Sequence, residues 1–231
     1  MKPFQSAQQV LALFIAITAS TCAFANNHEE NDPDWIWYHD FVVDNFAYYI
    51  IPNSPVPAVA IIEAYGHSGH IDVPAYVTHN DTTYEVTTLG TGYSGFRDCR
   101  DLTSVYIPKE IKMINNNPFR ECPNLTNISV DPENKYYDSR GLCHALVTSP
   151  DNPYEEPNML VAACKNTTIP NDVEVIGVEA FYQCHYLTQI TIPNSVTTIK
   201  RSAFNGCERL STLVIGESVS TIGYCSFFNC S

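Results

Sequence analysis

Hydrophobic positions along most of the chain recur with a period of 23 residues. The clearest marker is the motif Phe-x-x-Cys, which occurs five times, at Phe96/Cys99, Phe119/Cys122, Phe181/Cys184, Phe204/Cys207 and Phe227/Cys230. Successive cysteines of this motif are 23, 62, 23 and 23 residues apart. The interval of 62 is two periods plus 16 residues, so one repeat has lost the motif and gained an insertion. Self-similarity at a fixed period predicts a repeat architecture.

Two apolar elements precede each Phe-x-x-Cys motif. The first follows the pattern L-x-x-I-x-I and is present at Leu102–Ile107, Leu187–Ile192 and Leu210–Ile215. Its β-branched residues favour a short strand whose first, fourth and sixth side chains face inward. Proline ends the strand at Pro108 and Pro193 because it cannot donate a ladder hydrogen bond. The second element, V-x-x-I, is expected to start the return path of each repeat.

One repeat cannot bury its apolar side chains alone, so neighbouring repeats must stack. At the ~4.8 Å spacing of paired strands, equivalent side chains then form a continuous core. We therefore expect a mainly β fold, a solenoid of short parallel strands and turns.

The full pattern, L-x-x-I-x-I-P-x-x-V-x-x-I-x-x-x-A-F-x-x-C, resembles the leucine-rich repeats of BspA-type bacterial surface proteins. Glu85–Gly90 is similar to the first repeat of that family, and Val130–Tyr137 is similar to its longer variant repeat. The resemblance implies a leucine-rich repeat solenoid over residues 71–231, with the variant long repeat at about 125–170. It also implies a non-enzymatic surface module for protein binding or adhesion.

The first 25 residues have the features of a cleaved secretory signal. Lys2 precedes the apolar run Val10–Ile17, and Ala23-Phe24-Ala25 forms a small-residue cleavage site. The run is shorter than the roughly 20 apolar residues of a membrane-spanning helix, and no other stretch qualifies. We predict cleavage after Ala25 and a secreted or cell-surface protein. The alternative is a lipoprotein anchored at Cys22.

Residues 26–70 differ in composition from the repeats. Asn26–Asp34 is polar and acidic, as expected of a leader. Two β-rich runs follow, Phe41–Ile51 and Ala58–Ile62, separated by Pro-Asn-Ser-Pro. They predict a β-hairpin cap on the first repeat. Trp35 and Trp37 would cover the apolar edge of this cap or, alternatively, stack on a ligand.

Net charge limits the possible partners. The chain has 25 acidic and 12 basic side chains, for a formal charge of −13. Nucleic-acid binding requires basic patches that displace counterions from phosphates, so we expect no nucleic-acid partner. No motif concentrates acids, bases or nucleophiles in one place, and we expect no enzymatic activity and no cofactor.

Eight cysteines remain after signal cleavage, and an even number in an exported protein can indicate disulfides. Five of them belong to the Phe-x-x-Cys column and are expected to be reduced core residues. Cys143 and Cys164 flank the insertion, and a bridge between them is an alternative. The sequence contains no C-x2-C pair of the kind that binds zinc. In Gly66–His70 the glycines favour a turn over a metal site at its two histidines.

Candidate ligand contacts lie at strand positions that point away from the core. They are Ser104, Tyr106, Asn127, Ser129, Gln189, Thr191, Thr212 and Val214. This neutral, hydrogen-bonding surface suits an extracellular protein or glycan, although ordinary solvated strand residues would have the same composition. The chain ends at Ser231, directly after a repeat's cysteine. A second hypothesis is therefore a structural solenoid that self-associates through its open C-terminal repeat.

Overall fold

The computed structural model describes residues 39–90, 95–96, 99–120 and 122–230. The predicted signal peptide with Cys22, the acidic leader, and Trp35 and Trp37 lie outside the described residues. The described chain is mainly β, as expected, with one short 3₁₀ turn at Arg140–Leu142. Its strands are β1 Phe41–Val43, β2 Phe46–Ile50, β3 Ala58–Ala64, β4 Gly69–Asp72, β5 Tyr76–His79, β6 Thr82–Leu89, β7 Leu102–Ile107, β8 Met113–Ile114, β9 Asn127–Val130, β10 Tyr137–Asp138, β11 Leu146–Thr148, β12 Met159–Ala162, β13 Val175–Ile176, β14 Gln189–Ile192, β15 Thr198–Ile199, β16 Thr212–Ile215 and β17 Thr221–Ile222.

The L-x-x-I-x-I elements form a first parallel ladder, in two sections. The order β4-β7-β9 makes one section, and β14-β16 makes the other. Residues 23 positions apart are direct neighbours, as with Val105 beside Ile128 and Ile190 beside Leu213. In β7 the first, fourth and sixth residues are buried, which confirms the predicted inward positions.

The V-x-x-I elements form a second parallel ladder. We expected these residues to begin the return path, but β13, β15 and β17 pair in parallel as strands of two residues each. Backbone hydrogen bonds extend the pairing beyond the strands, from Lys200 N to Ile176 O (2.9 Å) and from Gly223 N to Ile199 O (2.7 Å). Each repeat therefore contributes to two sheets, and the apolar side chains of both face the interior.

At the N-terminal end, β1, β2 and β3 pair antiparallel, and β3 then pairs in parallel with β6. The β1–β2 turn consists of Asp44 and Asn45, with φ of 49° and 62°. Two-residue hairpins with a type I′ turn require positive φ at both central positions, and Asn and Asp tolerate it better than most residues. These strands are continuous with the ladders, since β3 begins the second ladder and β4 begins the first.

The core of the described residues is divided into two large clusters and a small third one of Ala47, Ala60 and Ile62. The N-terminal cluster contains Phe96 and Phe119, whose ring centroids are 5.4 Å apart. The C-terminal cluster contains Phe181, Phe204 and Phe227, stacked with centroids 4.7 and 5.1 Å apart. Burial of each ring contributes about 1.5–3 kcal/mol, so stacking at the repeat period supplies a large share of the stability.

The long repeat contributes residues to both large clusters. After β9, the strands β10, β11 and β12 pair antiparallel, and β12 rejoins the second ladder by pairing in parallel with β13. A buried ion pair joins the repeats on either side of this insertion: Arg120 Nη1 lies 2.7 Å from Glu179 Oε2. Asn117 Nδ2 also donates to the backbone oxygens of Glu179 (3.0 Å) and Ala180 (3.2 Å).

Candidate functional site

The structure places all eight predicted ligand-contact residues on the outer side of the first ladder, but in two patches. Ser104, Tyr106, Asn127 and Ser129 form the N-terminal patch on β7 and β9. Gln189, Thr191, Thr212 and Val214 form the C-terminal patch on β14 and β16. From the sequence, these eight residues were expected to form one surface. The ladder is interrupted at the long repeat, so the two patches are separate.

The N-terminal patch includes a histidine that the sequence did not assign to the surface. His70 lies on β4, with Nδ1 2.7 Å from Ser104 Oγ and Nε2 3.1 Å from Asp72 Oδ1. The signal that identifies this strand is Ile71-Asp72-Val73-Pro74, which has the same pattern as the end of β7. The glycines of the predicted turn precede His70: Gly66 and Gly69 have φ of 62° and 68°, and Gly69 is the first residue of β4.

The other histidine of this segment has different surroundings. The ring of His67 packs against Phe46 and Phe96, with centroids 4.3 and 5.9 Å away. Burial lowers the pKa of His67. Across the described ranges, no group of three or more His, Cys, Asp or Glu side chains is placed to hold a metal ion.

Side chains of the N-terminal patch are already bonded within the protein. Asn127 Oδ1 lies 2.8 Å from His144 Nδ1, and Ser129 Oγ donates to the backbone oxygen of Val105 at 3.2 Å. Burial and a hydrogen bond to Asp131 raise the pKa of Tyr106. All four residues of the patch are half-buried, so a ligand would compete with internal hydrogen bonds.

The C-terminal patch is more accessible. Gln189 pairs with Thr212, and Thr191 pairs with Val214. All four side chains are exposed, Val214 to 51%. Three of them are β-branched and therefore stiff at χ1. The patch is a neutral, ordered surface on adjacent parallel strands.

The repeat pattern and its two ladders can be compared with known families. A sequence model of the BspA type leucine-rich repeat region matches residues 78–145 and 161–231, in six copies, which together are more than half of the chain. The chain belongs to the BspA-type leucine-rich repeat family. The resemblance inferred from the repeat motif is thus confirmed.

Solved structures of leucine-rich repeat proteins are similar to parts of this chain. A leucine-rich repeat protein from Eubacterium ventriosum has 23% sequence identity and a TM-score of 0.51, over 69% of this chain and 40% of that chain. A leucine-rich cell surface protein from Faecalibacterium prausnitzii has 22% identity and a TM-score of 0.45, over 82% of this chain and 52% of that chain. The present chain thus spans about half or less of the length of these two proteins. No curated protein matches it.

The BspA-type Phe and Cys positions have a structural role. Each Phe is buried, and Cys122, Cys207 and Cys230 direct their thiols at the backbone oxygen of the preceding repeat's Phe, at 2.8, 3.2 and 3.2 Å. Cys99 and Cys184 lie at the equivalent positions of their repeats. These contacts join successive repeats inside the core.

The possible bridge between Cys143 and Cys164 is absent, since both are free thiols. Their sulfur atoms point to different acceptors: Cys143 Sγ donates to Ala145 O (3.6 Å), and Cys164 Sγ donates to His144 O (2.9 Å). Burial raises the pKa of both thiols. Over the part of the chain that is described, no helix has the length and apolarity needed to cross a membrane.

Proposed function

We propose that this chain is a secreted or cell-surface solenoid that binds an extracellular protein or glycan without catalysing a reaction. In this proposal residues 1–25 are a signal peptide, residues 26–70 are a leader and a β-hairpin cap, and residues 71–231 are the solenoid. The observation that supports binding is the C-terminal patch, where four neutral side chains are exposed in register on paired strands. An ordered surface of this kind loses little conformational entropy when a partner binds.

The C-terminal patch is the better candidate of the two. Its residues are exposed, whereas those of the N-terminal patch are half-buried. The N-terminal patch also lies among carboxylates, because Asp72, Glu110 and Asp131 all act on Tyr106. A Tyr106→Glu substitution would add a fourth carboxylate there, so loss of binding would not be separable from loss of stability.

A pair of matched variants tests the proposal. Thr191 is exposed on β14 of the first ladder, and Thr221 is exposed on β17 of the second. The full chain is applied to immobilised matrix proteins, plasma proteins and glycans. We expect saturable capture that falls about tenfold or more in Thr191→Lys and is retained in Thr221→Lys, with equal melting temperatures. Equal effects of the two substitutions, or no capture at all, would refute binding through this patch.

A second candidate function is self-association through the last described repeat. Leu213 and Ile215 in β16 are only half-buried, whereas Ile190 and Ile192, at the equivalent positions of β14, are buried. Partly covered apolar residues on an edge strand favour pairing with another chain. This role predicts a molar mass that rises with concentration in light scattering and falls to that of a monomer in Leu213→Lys. A constant monomer mass for the unmodified chain would exclude it.

A further inference from the structure

A cleft opens in the second ladder where the long repeat interrupts it. On one side, the last strand of the ladder before the interruption is β8, which pairs with β6. On the other side, the parallel ladder resumes with β12 and β13. The cleft between them has a volume of about 240 Å³. That is smaller than the roughly 300–1,000 Å³ of sites for drug-sized ligands, so it suits a single side chain. This site is distinct from both patches of the first ladder.

The apolar part of the cleft is formed by Met113, Ile114, Met159, Val161 and Val178. Met113 and Met159 are the only methionines of the chain besides Met1. Met113 is 38% exposed and so accessible to a ligand. Thioethers adapt their shape to a ligand and make favourable contacts with aromatic rings. Two methionines on either side of a cleft of this size therefore favour an aromatic group.

One hydrogen-bond acceptor is held in place in the cleft. The backbone N–H of Ile114 donates to Tyr137 Oη at 2.7 Å, and the hydroxyl of Tyr137 donates to Glu155 Oε1. Tyr137 is fully buried, so this chain of hydrogen bonds fixes the position of the Glu155 carboxyl group. A ligand that enters the cleft therefore meets an oriented acceptor at its polar end.

The polar end of the cleft holds charges of both signs. Lys200 also lines the cleft, with Nζ held 2.9 Å from Glu156 Oε1, and its charge acts on Glu155 as well. The protein itself therefore supplies a cation beside these carboxyl groups, and a ligand need not bring one. A neutral donor, such as an indole N–H or a phenol O–H, can then bond to Glu155.

The mouth of the cleft leads to an open depression of about 480 Å³, bordered by Pro153, Tyr154 and Glu156. The ring of Tyr154 is 55% exposed and is stacked on Tyr136, with centroids 5.7 Å apart. This larger, open space can hold the backbone on either side of an inserted side chain, which indicates a polypeptide.

We infer that this cleft binds a tryptophan or tyrosine side chain of a polypeptide partner. The ring lies between Met113 and Met159, and its N–H or O–H donates to Glu155. The site does not depend on the proposed binding patches, so either can fail alone.

Methionine-methyl NMR of the full chain tests the assignment, because the methyl groups of Met113 and Met159 report directly on the cleft. With N-acetyl-tryptophanamide as the probe, we expect saturable shifts of both signals and a dissociation constant on the order of 1 mM. N-acetyl-leucinamide and N-acetyl-argininamide should shift them at least tenfold less at equal concentration. Unchanged methionine signals would overturn the inference, and so would tighter binding of the arginine probe or equal binding of the leucine probe.

Substitutions locate the probe. Val178 lines the cleft and is half-buried, so Val178→Trp should fill the cleft and abolish the shifts. Val56, in the β2–β3 connection, is 49% exposed, and Val56→Trp should leave them unchanged. Met113→Ala, at a partly exposed position, should weaken binding about fivefold and serves if Val178→Trp fails to fold. Indole binding as tightly as the amide would point to a free aromatic molecule and overturn the assignment to a polypeptide.

Discussion

The ion pair between Arg120 and Glu179 gives the sharpest prediction about stability. Its side chains are only 9% and 6% exposed, and its partners are 59 residues apart, on either side of the long repeat. Removing one member of a buried pair costs about 3–5 kcal/mol, because the other charge is left without compensation. In Arg120→Met, the guanidinium of Arg201, 3.9 Å from Glu179 Oε1 and half-exposed, would offset part of this loss. We therefore expect the unfolding free energy to fall by about 3 kcal/mol.

A loss of that size corresponds to a melting temperature lower by about 6–12 °C in a protein of this length. Urea denaturation followed by circular dichroism at pH 7 measures it directly. The control is the double variant Arg120→Met/Glu179→Met, which leaves neither charge of the pair buried. Its free energy of unfolding should lie within about 1 kcal/mol of that of the unmodified protein. If Arg120→Met costs less than about 1 kcal/mol, or if the double variant is as unstable as the single one, the pair does not join the repeats as argued.

Three further predictions concern single residues. Burial lowers the pKa of His67 from its usual 6.5, so protonation favours the unfolded chain. The urea concentration at the unfolding midpoint should therefore decrease as the pH is lowered below about 6.5, and it should decrease less in His67→Phe. Gly206 has φ of 78° and an added Cβ would lie 3.0 Å from Gln183 Cγ, so Gly206→Ala should cost about 1–2 kcal/mol. Gln183→Gly, at φ of 52°, should instead raise the unfolding free energy by up to about 1 kcal/mol, and melting curves compare the two. Burial raises the pKa of Cys184 to about 12; iodoacetamide at pH 8 should modify it only in urea, which peptide mass spectrometry detects.

Features that depend on nearby sequence could be predicted well. The inward positions Leu102, Val105 and Ile107 followed from their spacing, because each repeat has the same neighbours as the next. In the repeats, local pattern and final packing agree. The run Phe41–Ile51 was predicted as β, but it divides into β1 and β2 at Asp44 and Asn45, a two-residue turn that was not predicted.

Features that depend on distant contacts could not be predicted. The second ladder has strands of two residues, such as Val175–Ile176, which is too short for an alternating pattern to identify. Nothing in the sequence near Arg120 indicates that Glu179 will be its partner. The division of the predicted ligand surface into two patches was missed because the repeat alignment gave the size of the insertion but not its path.

The long repeat accounts for the departures from a regular array. Where repeats follow one another at 23 residues, each strand covers the one before it, and no concave surface or buried charge is needed. At the insertion, β8 and β12 are separated, and this leaves the cleft beside Glu155. The cores also divide there, and the ion pair joins them. Specific recognition of a side chain needs depth and a fixed polar group, and the described structure combines both at this interruption. Variation in the long repeat should therefore change ligand preference more than variation in the regular repeats, which mainly maintain the stack.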